Sequence, residues 1–181
     1  MKLIATDLEG AFIVEQPLFQ DSRGSFQEIF SQKTFEECGI LARFVQDNCS
    51  YSNAAGVIRG LHLQFPPHAQ AKLVWVVTGS IYDVIVDLRP DSPSFLKWTA
   101  LELSADSPRM LFMPKGFAHG FCTLVPDTRV FYKVDSLYAP QAEGGVRYDD
   151  PDLAIDWPTA SPILSNKDKA LPFLKELDLM R

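Results

Sequence analysis

The chain of 181 residues has few cysteines, few histidines and no long apolar run. Its cysteines, Cys38, Cys49 and Cys122, are odd in number and lack Cys-x-x-Cys spacing. They indicate reduced thiols of a cytoplasmic protein, and neither a disulfide framework nor a zinc site. No apolar run approaches ~18 residues, and the first eight residues contain Asp7 but no long apolar core, so we expect neither a membrane span nor a signal peptide.

Basic charge is also scarce. Lysine and arginine number 17 against 23 aspartates and glutamates, which gives a formal net charge of −6. A general nucleic-acid-binding protein normally presents a basic face, so that class of partner is not expected. A few local arginines and lysines can still bind one small anionic ligand, such as a phosphate group.

Turn-forming residues are plentiful, with thirteen prolines and ten glycines, and the segments between them are typical of strands. Strands are predicted over residues 11–19, 25–30, 43–51, 56–63, 72–78, 81–88, 97–103, 110–113, 120–125 and 129–135. The segments 72–78 and 81–88, joined at Gly79, predict a hairpin. Residues 21–24 predict a turn. Helices are predicted after Thr34, as a capping box with Glu37 and a stop at Gly39, and over residues 167–177.

Many short strands with almost no helix predict an all-β sandwich or barrel in one domain that spans residues 1–181. A doubly wound α/β fold would need helices between its strands, and the pattern has none there. A closed barrel also removes exposed strand edges and leaves a mouth in which a ligand can bind.

Two of the three histidines lie in informative surroundings. His62 follows Arg59 and precedes Gln64, and His119 follows a Pro-x-Gly run at Pro114. These segments resemble the two halves of the cupin signature, which implies a double-stranded β-helix (jelly-roll) barrel with short peripheral helices. Metal-binding cupins carry a second histidine where this chain has Gln64, and no glutamate lies between Gln64 and Lys72. Two histidines are too few ligands, so no metal is expected.

Eight runs that follow one another in order extend this resemblance over roughly residues 10–170. They are residues 21–28, 46–50, 56–62, 70–74, 114–121, 132–140, 149–151 and 165–168. Together they resemble the dTDP-4-dehydrorhamnose 3,5-epimerase family. That resemblance implies inversion of C3 and C5 in a dTDP-linked 4-keto-6-deoxyhexose, in dTDP-L-rhamnose biosynthesis, without a cofactor.

The resemblance also implies roles for four residues. His62 matches the base that removes a proton beside the C4 ketone, and Asp168 matches the carboxylate that orients it. Lys72 matches the cation near the C4 oxygen. Tyr132 matches the acid on the opposite face. A phenol suits this role because its pKa near ~10 keeps it protonated at neutral pH.

Other positions match substrate contacts of the family. Arg23 and Arg59 match residues around the diphosphate and sugar. Tyr138 matches the aromatic ring that stacks on thymine. The remaining matches are Glu28, Gln46, Asn48, His119, Glu143 and Lys167. Because some nucleotide contacts in the family cross a dimer interface, the resemblance implies a homodimer.

Structural interpretations of the same residues remain open at this point. Asp168 can be an ordinary helix-start residue, since a carboxylate is favourable there. Lys72 can extend its stem to solvent, and Arg23 can be a turn residue. Asp83 and Asp87 share a strand face, and they are interpreted as inward hydrogen-bonding groups without a catalytic role.

Three other functions compete with the 3,5-epimerase. One is a single-carbon epimerase, or one that uses another nucleotide, because the same base and acid serve both outcomes. Another is a non-catalytic sugar-nucleotide binding module, against which the complete acid–base set argues. The third is a metal-dependent cupin, against which Gln64 argues.

Overall fold

The computed structural model describes residues 1–178, and its regular secondary structure is mostly antiparallel strand. The strands are β1 (Lys2–Ala5), β2 (Phe12–Glu15), β3 (Leu18–Asp21), β4 (Gly24–Gln27), β5 (Gln46–Ser52), β6 (Ile58–Gln64), β7 (Lys72–Thr78), β8 (Ser80–Asp87), β9 (Trp98–Ser104), β10 (Arg109–Met113), β11 (Phe117–Thr123), β12 (Thr128–Val134) and β13 (Glu143–Gly145). The helices are α1 (Gln32–Glu37) and α2 (Asn166–Lys169), with short 3₁₀ turns at Pro140–Ala142 and Leu174–Glu176. No helix within residues 1–178 is long and apolar enough to cross a membrane.

Two sheets face each other. The six-stranded sheet has the order β1-β2-β10-β7-β12-β5, and the five-stranded sheet has the order β13-β6-β11-β8-β9. Eight of these strands pair in a nested way, β5 with β12, β6 with β11, β7 with β10 and β8 with β9. This nesting is the connectivity of a double-stranded β-helix, so the predicted all-β jelly-roll fold is confirmed.

The predicted hairpin between residues 72–78 and 81–88 is wrong. Both strands exist, but β7 pairs with β10 and β12, whereas β8 pairs with β9 and β11. Gly79, with φ of +80°, turns the chain from one sheet into the other. Val74 of β7 and Ile81 of β8 belong to the same buried cluster, because the two strands pack face to face across the core.

The first helix begins earlier than predicted. Its N-cap is Ser31, whose hydroxyl accepts a hydrogen bond from the Thr34 N–H, so the predicted capping box at Thr34 is wrong. Its end is as predicted. Gly39 has φ of +90°, and the N–H groups of Gly39 and Ile40 donate to the carbonyls of Glu36 and Phe35 in a Schellman arrangement.

The predicted helix over residues 167–177 is also wrong. Only the single turn α2 forms, capped by Ser165, and a 3₁₀ turn follows at Leu174–Glu176. Pro172 lies between them. Proline supplies no backbone N–H and disfavours helical geometry in the residue before it, which separates the two turns.

The core has an inner layer and two outer layers. The inner layer lies between the sheets, and residues such as Val74, Ile85 and Phe117 fill it. The outer face of the five-stranded sheet is covered by the C-terminal segment through Leu153 and Leu174. The outer face of the six-stranded sheet is covered in part by α1. The inner layer stops short of one end of the barrel, where polar side chains replace apolar ones.

Strands β6 and β11 approach each other closely at two glycines. A Cβ atom on Gly60 would lie 2.6 Å from the His119 carbonyl oxygen, and one on Gly120 would lie 2.8 Å from the Arg59 carbonyl oxygen. The register of the pair shifts between His119 and Phe121. The two glycines therefore permit the contact that sets His62 opposite His119.

Candidate active site

A cavity of about 320 Å³ opens at the polar end of the barrel, between the two sheets. Strands from both sheets and the turn α2 contribute to its wall. The lining residues are Ser50, Arg59, His62, Leu63, Gln64, Gln70, Lys72, His119, Phe121, Tyr132, Tyr138, Glu143, Ser165, Lys167 and Asp168. All four predicted catalytic residues are among them, although they lie on β6, β7, β12 and α2.

His62 and Asp168 form a hydrogen-bonded pair. The His62 Nε2–H donates to Asp168 Oδ1 at 2.6 Å, and Ser165 Oγ donates to Asp168 Oδ2 at 2.7 Å. Burial raises the pKa of Asp168, but these two hydrogen bonds outweigh it, so the pKa lies below its usual value. An ionised carboxylate only accepts hydrogen bonds, so the neutral His62 carries its proton on Nε2 and leaves Nδ1 as the basic nitrogen.

The simple helix-start interpretation of Asp168 is therefore insufficient. Asp168 does occupy the first turn of α2, and its N–H donates to Ser165 Oγ at 3.0 Å. Its carboxylate, however, is buried and turned toward His62. The short helix α2 thus places the Asp168 carboxylate beside His62, which lies 106 residues earlier in the chain.

Lys72 is a buried ammonium at the start of β7, with only 7% of its surface exposed. Its Nζ donates to the His62 carbonyl oxygen at 3.3 Å. Burial lowers the pKa of Lys72 to about 8, against the opposing charges of Asp83 and Glu143. The side chain does not extend to solvent. It can present a positive charge to an oxygen of a ligand in the cavity.

Tyr132 lies on β12, opposite Asn48 of β5 and Val74 of β7. Burial raises the pKa of Tyr132, the Arg59 charge opposes this, and the net pKa lies above the ordinary phenol value. Its hydroxyl makes no hydrogen bond with residues 1–178. It is therefore protonated at neutral pH and available as a donor.

A second histidine–aspartate pair lies beside the first. The His119 Nε2–H donates to Asp83 Oδ1 at 2.7 Å, and both residues are buried. His119 is the cross-strand partner of His62 in the β6–β11 ladder. The predicted contact residue His119 therefore belongs to the same cavity as the proposed base.

Three predicted contact residues form a connected rim. Glu143 accepts hydrogen bonds from Tyr138 Oη at 2.8 Å and from Lys167 Nζ at 2.6 Å. Burial raises the pKa of Glu143, but the hydrogen bonds from Lys167 and Tyr138 outweigh this effect, so the pKa lies below its usual value. The ring of Tyr138 is about half exposed, which leaves a face open for a ligand.

Gln46 and Asn48 support this rim from β5, outside the cavity wall. Gln46 Nε2 donates to Asn48 Oδ1 at 2.8 Å, and Gln46 Oε1 accepts from the Tyr138 N–H at 3.1 Å. Arg59 lines the cavity, while its Nε donates to Ser52 Oγ and its Nη2 donates to the Tyr51 carbonyl oxygen. Two residues of β5 thus hold the guanidinium in place.

Arg23 and Glu28 do not lie at the cavity. Arg23 sits in the predicted turn, between β3 and β4, and forms an exposed ion pair with Asp21 at 2.6 Å. Glu28 follows β4 and is exposed. The β3–β4 hairpin pairs with no other strand among residues 1–178.

Sequence reasoning missed several residues of the cavity. Ser50 has the same strand parity as Gln46 and Asn48, so alternation along β5 was a usable signal. Ser165 was identifiable as an N-cap. Gln70 gave no signal of its own, although it stands in one of the matching runs.

Gln64 stands where metal-binding cupins carry their second histidine, and its side-chain amide has a structural role. Gln64 Nε2 donates to the carbonyl oxygens of His68 and Leu137, and Gln64 Oε1 accepts from the Ala139 N–H. Within residues 1–178, no group of three or more His, Cys, Asp and Glu side chains is arranged to hold a metal ion. The cavity instead combines histidine, lysine and tyrosine side chains, which are residue types capable of proton transfer.

The fold and the cavity together define a cupin-type enzyme that carries a histidine–aspartate pair, a tyrosine and a lysine in one barrel mouth. A family model described as dTDP-4-dehydrorhamnose 3,5-epimerase matches residues 5–176. A relative of that name from Shigella flexneri is 46% identical over 169 residues, which cover 93% of each chain. The chain belongs to the dTDP-4-dehydrorhamnose 3,5-epimerase family.

Solved structures agree with this assignment. The dTDP-4-dehydrorhamnose 3,5-epimerase from Bacillus anthracis, with TDP and PPi bound, is 55% identical with a TM-score of 0.94, covering 96% of this chain and 99% of that one. A 3,5-epimerase from Legionella pneumophila in complex with dTDP-4-keto-L-rhamnose is 43% identical with a TM-score of 0.94, covering 99% and 95%. The predicted family, fold and class of enzyme are confirmed.

Proposed function

We propose that this chain inverts C3 and C5 of dTDP-4-dehydro-6-deoxy-D-glucose to form dTDP-4-dehydro-L-rhamnose, a step toward dTDP-L-rhamnose. The observation that carries the proposal is the His62–Asp168 pair, which shares one cavity with Lys72 and Tyr132. The ligand in the Legionella relative, dTDP-4-keto-L-rhamnose, supports this class of substrate.

Proton removal begins at His62. Nδ1 takes the proton from the carbon beside the C4 ketone, and the electrons of the broken C–H bond form an enolate whose charge rests on the C4 oxygen. Asp168 stabilises the imidazolium that results, because its carboxylate already accepts the Nε2–H. General-base catalysis by such a group contributes ~10²–10⁴-fold.

Lys72 and Tyr132 complete the cycle. The Lys72 ammonium stabilises the enolate oxygen, and its burial strengthens this interaction since little water competes. The electrons of the enolate then take the Tyr132 hydroxyl proton on the opposite face, which inverts the carbon. Exchange with solvent returns a proton to the Tyr132 phenolate and removes one from His62 before the second carbon reacts.

The rim residues suit the nucleotide part of this substrate. Arg59 and Lys167 bring positive charge to the diphosphate, and guanidinium forks match phosphate oxygens well. The exposed face of Tyr138 suits stacking on thymine. Glu143 holds both Tyr138 and Lys167, so the two contacts act as a unit. Gln46, Asn48 and His119 would complete the substrate contacts.

A second copy of the chain is the proposed partner. The β3–β4 hairpin exposes 64% of Phe19 and 69% of Phe26, and it carries Arg23 away from the cavity of its own chain. Exposed aromatic side chains on an unpaired hairpin favour a protein interface. In a homodimer, the hairpin would bring Arg23 and Glu28 to the partner's cavity.

The dimer is tested by replacing Phe26 with serine and measuring mass by light scattering. The Phe26→Ser protein should become monomeric and lose substrate affinity, while Val77→Ser, another exposed apolar site, should do neither. In addition, inactive Arg23→Ala and His62→Ala proteins should recover activity when they are mixed, because mixed dimers contain one complete site. No recovery would exclude a contribution of Arg23 in trans.

The activity itself is tested by isotope exchange. Incubation with the dTDP-linked ketosugar in D₂O should introduce deuterium at both C3 and C5 of the product. One deuterium per product molecule would indicate a single-carbon epimerase instead. Unlabelled sugar recovered from folded protein would refute the proposal, and tight binding without exchange would identify a binding module.

The thiols fit a cytoplasmic location. Cys38 and Cys49 are exposed and free, and Cys122 is buried and free. Burial raises the pKa of Cys122 to about 11, so this thiol is not reactive at neutral pH. Free, exposed thiols are typical of a reducing compartment.

A further inference from the structure

Asp83 is a buried carboxylate to which the mechanism above assigns no task. It lies at the middle of β8, between Ile81 and Ile85 on the face that packs into the inner core, and it is 0% exposed. Apolar residues fill this layer on both sides. A carboxylate in such a position is costly unless charged or hydrogen-bonding partners compensate it.

Only one oxygen of this carboxylate is satisfied within residues 1–178. Oδ1 accepts the His119 Nε2–H at 2.7 Å, whereas the buried Oδ2 has no hydrogen-bond partner there. Unsatisfied buried polar atoms are rare in folded proteins, and each one calls for a specific explanation, of which a catalytic role is one. A role in stability alone would be served better by an apolar residue of similar size.

Lys72 is a buried cation of the same cavity that His119, the partner of Asp83, also lines. Within residues 1–178, its ammonium makes one hydrogen bond, to the His62 carbonyl oxygen, and it reaches no carboxylate directly. Burial lowers the pKa of Lys72, and the negative charge of Asp83 opposes this effect more strongly than that of Glu143. The cavity also presents Arg59, His62, His119 and Tyr132, and the Asp168 carboxylate is already engaged by His62.

We propose that Asp83 is a positioning residue of the epimerase, which fixes the tautomer of His119 and keeps the Lys72 ammonium protonated. The hydrogen bond to Asp83 holds the His119 proton on Nε2, so Nδ1 is the nitrogen left to meet the substrate. The negative charge of Asp83 compensates the positive charge of Lys72, and because both groups are buried, little solvent screens the interaction. This inference rests on the proposed function, because it concerns the cation that stabilises the enolate.

The negative charge of Asp83 determines the direction in which its replacement should shift the pH dependence of kcat. Lys72 is active as an ammonium, so activity declines as pH rises through its pKa of about 8. Replacing Asp83 by asparagine removes a negative charge that favours the ammonium, which lowers that pKa. The alkaline decline of kcat should then begin about one pH unit lower, with a roughly tenfold loss of kcat on the alkaline limb above pH 8 and a much smaller loss below it.

Asp87 provides a matched control. It lies on the same strand and the same side as Asp83 and is equally buried, but its carboxylate is bound by Arg89, Ser92 and Ser94, away from the cavity. Asp87→Asn should lower thermal stability and leave the pH profile of kcat unchanged. Asp83→Glu, which retains the charge, should restore the alkaline limb toward that of the wild type.

The test measures kcat and KM against pH by deuterium incorporation, for the wild type, Asp83→Asn, Asp83→Ser, Asp83→Glu and Asp87→Asn. A shifted alkaline limb in the neutral Asp83 variants alone supports the proposal. Wild-type pH profiles in folded Asp83→Asn protein overturn it, and so does unfolding of both neutral variants while Asp87→Asn folds. An inactive wild type would instead refute the proposed function.

Discussion

His62 on β6 and His119 on β11 lie directly opposite each other, and each is held by a carboxylate of its own. The two pairs differ in accessibility. The His62 side chain is 31% exposed and the His119 side chain 8%. The more exposed imidazole can reach a ligand and exchange its proton with water, which suits a base, whereas the buried one suits a fixed contact.

Replacing His62 by alanine should abolish proton exchange at both carbons. The imidazole is the only proposed base, so we expect kcat to fall by about 10²–10⁴-fold. Deuterium incorporation from D₂O measures both carbons in one experiment. His68→Ala is the control, because His68 lies outside the cavity, near Gln141, and should retain full activity. Comparable losses in both variants would contradict the assignment of the base.

Replacing Tyr132 by phenylalanine should separate proton removal from inversion. His62 remains, so deuterium should still enter the recovered substrate, while the opposite face receives no proton and product should fall by about 10²–10⁴-fold. Mass spectrometry of recovered substrate and chromatography of epimers measure the two effects. Normal product formation by this variant would show that another group supplies the proton.

Most of the fold could be predicted because strands and turns leave local marks. Alternating side chains and glycine turns identify β5 to β12 to within a few residues. The local sequence does not, however, indicate which strands pair with each other. The segments around Gly79 have the composition of a hairpin, yet β7 and β8 belong to different sheets. Each lies between two strands that are distant in sequence, β7 between β10 and β12, and β8 between β11 and β9.

The same distinction applies to the site. The ordered motifs identified His62, Lys72, Tyr132 and Asp168, and the fold brings these four residues together. Asp83 was interpreted as an inward hydrogen-bonding group, which is correct for its bond to His119. The effect of its charge on Lys72 depends on how the two sheets face each other. Strand parity alone cannot provide that information.

Activity should fall on the alkaline side as pH rises through about 8, where Lys72 loses its proton. Lys72→Arg keeps a cation with a pKa above ~12, so this limb should disappear even if the rate is lower. Lys72→Met should lose activity at every pH. Lys33→Met, at an exposed position of α1, should keep the wild-type profile. The measurement is kcat against pH, and a limb near 8 that persists in Lys72→Arg would assign it to another group.

Replacing Tyr138 by alanine should weaken nucleotide binding and spare the proton-transfer step. Stacking of a base on an aromatic ring is worth about 1–3 kcal/mol, so KM should rise roughly 5- to 150-fold. Since Tyr138 also donates to Glu143, Tyr138→Phe separates the two contributions by keeping the ring and removing the hydroxyl. Leu137→Ala is the matched control, because Leu137 is 65% exposed, adjacent in sequence and absent from the cavity wall. Steady-state kinetics should show the highest KM for Tyr138→Ala, a lower KM for Tyr138→Phe and the lowest KM for the wild type, with kcat nearly constant. A fall in kcat without a change in KM would place Tyr138 in the chemical step instead of the nucleotide contact.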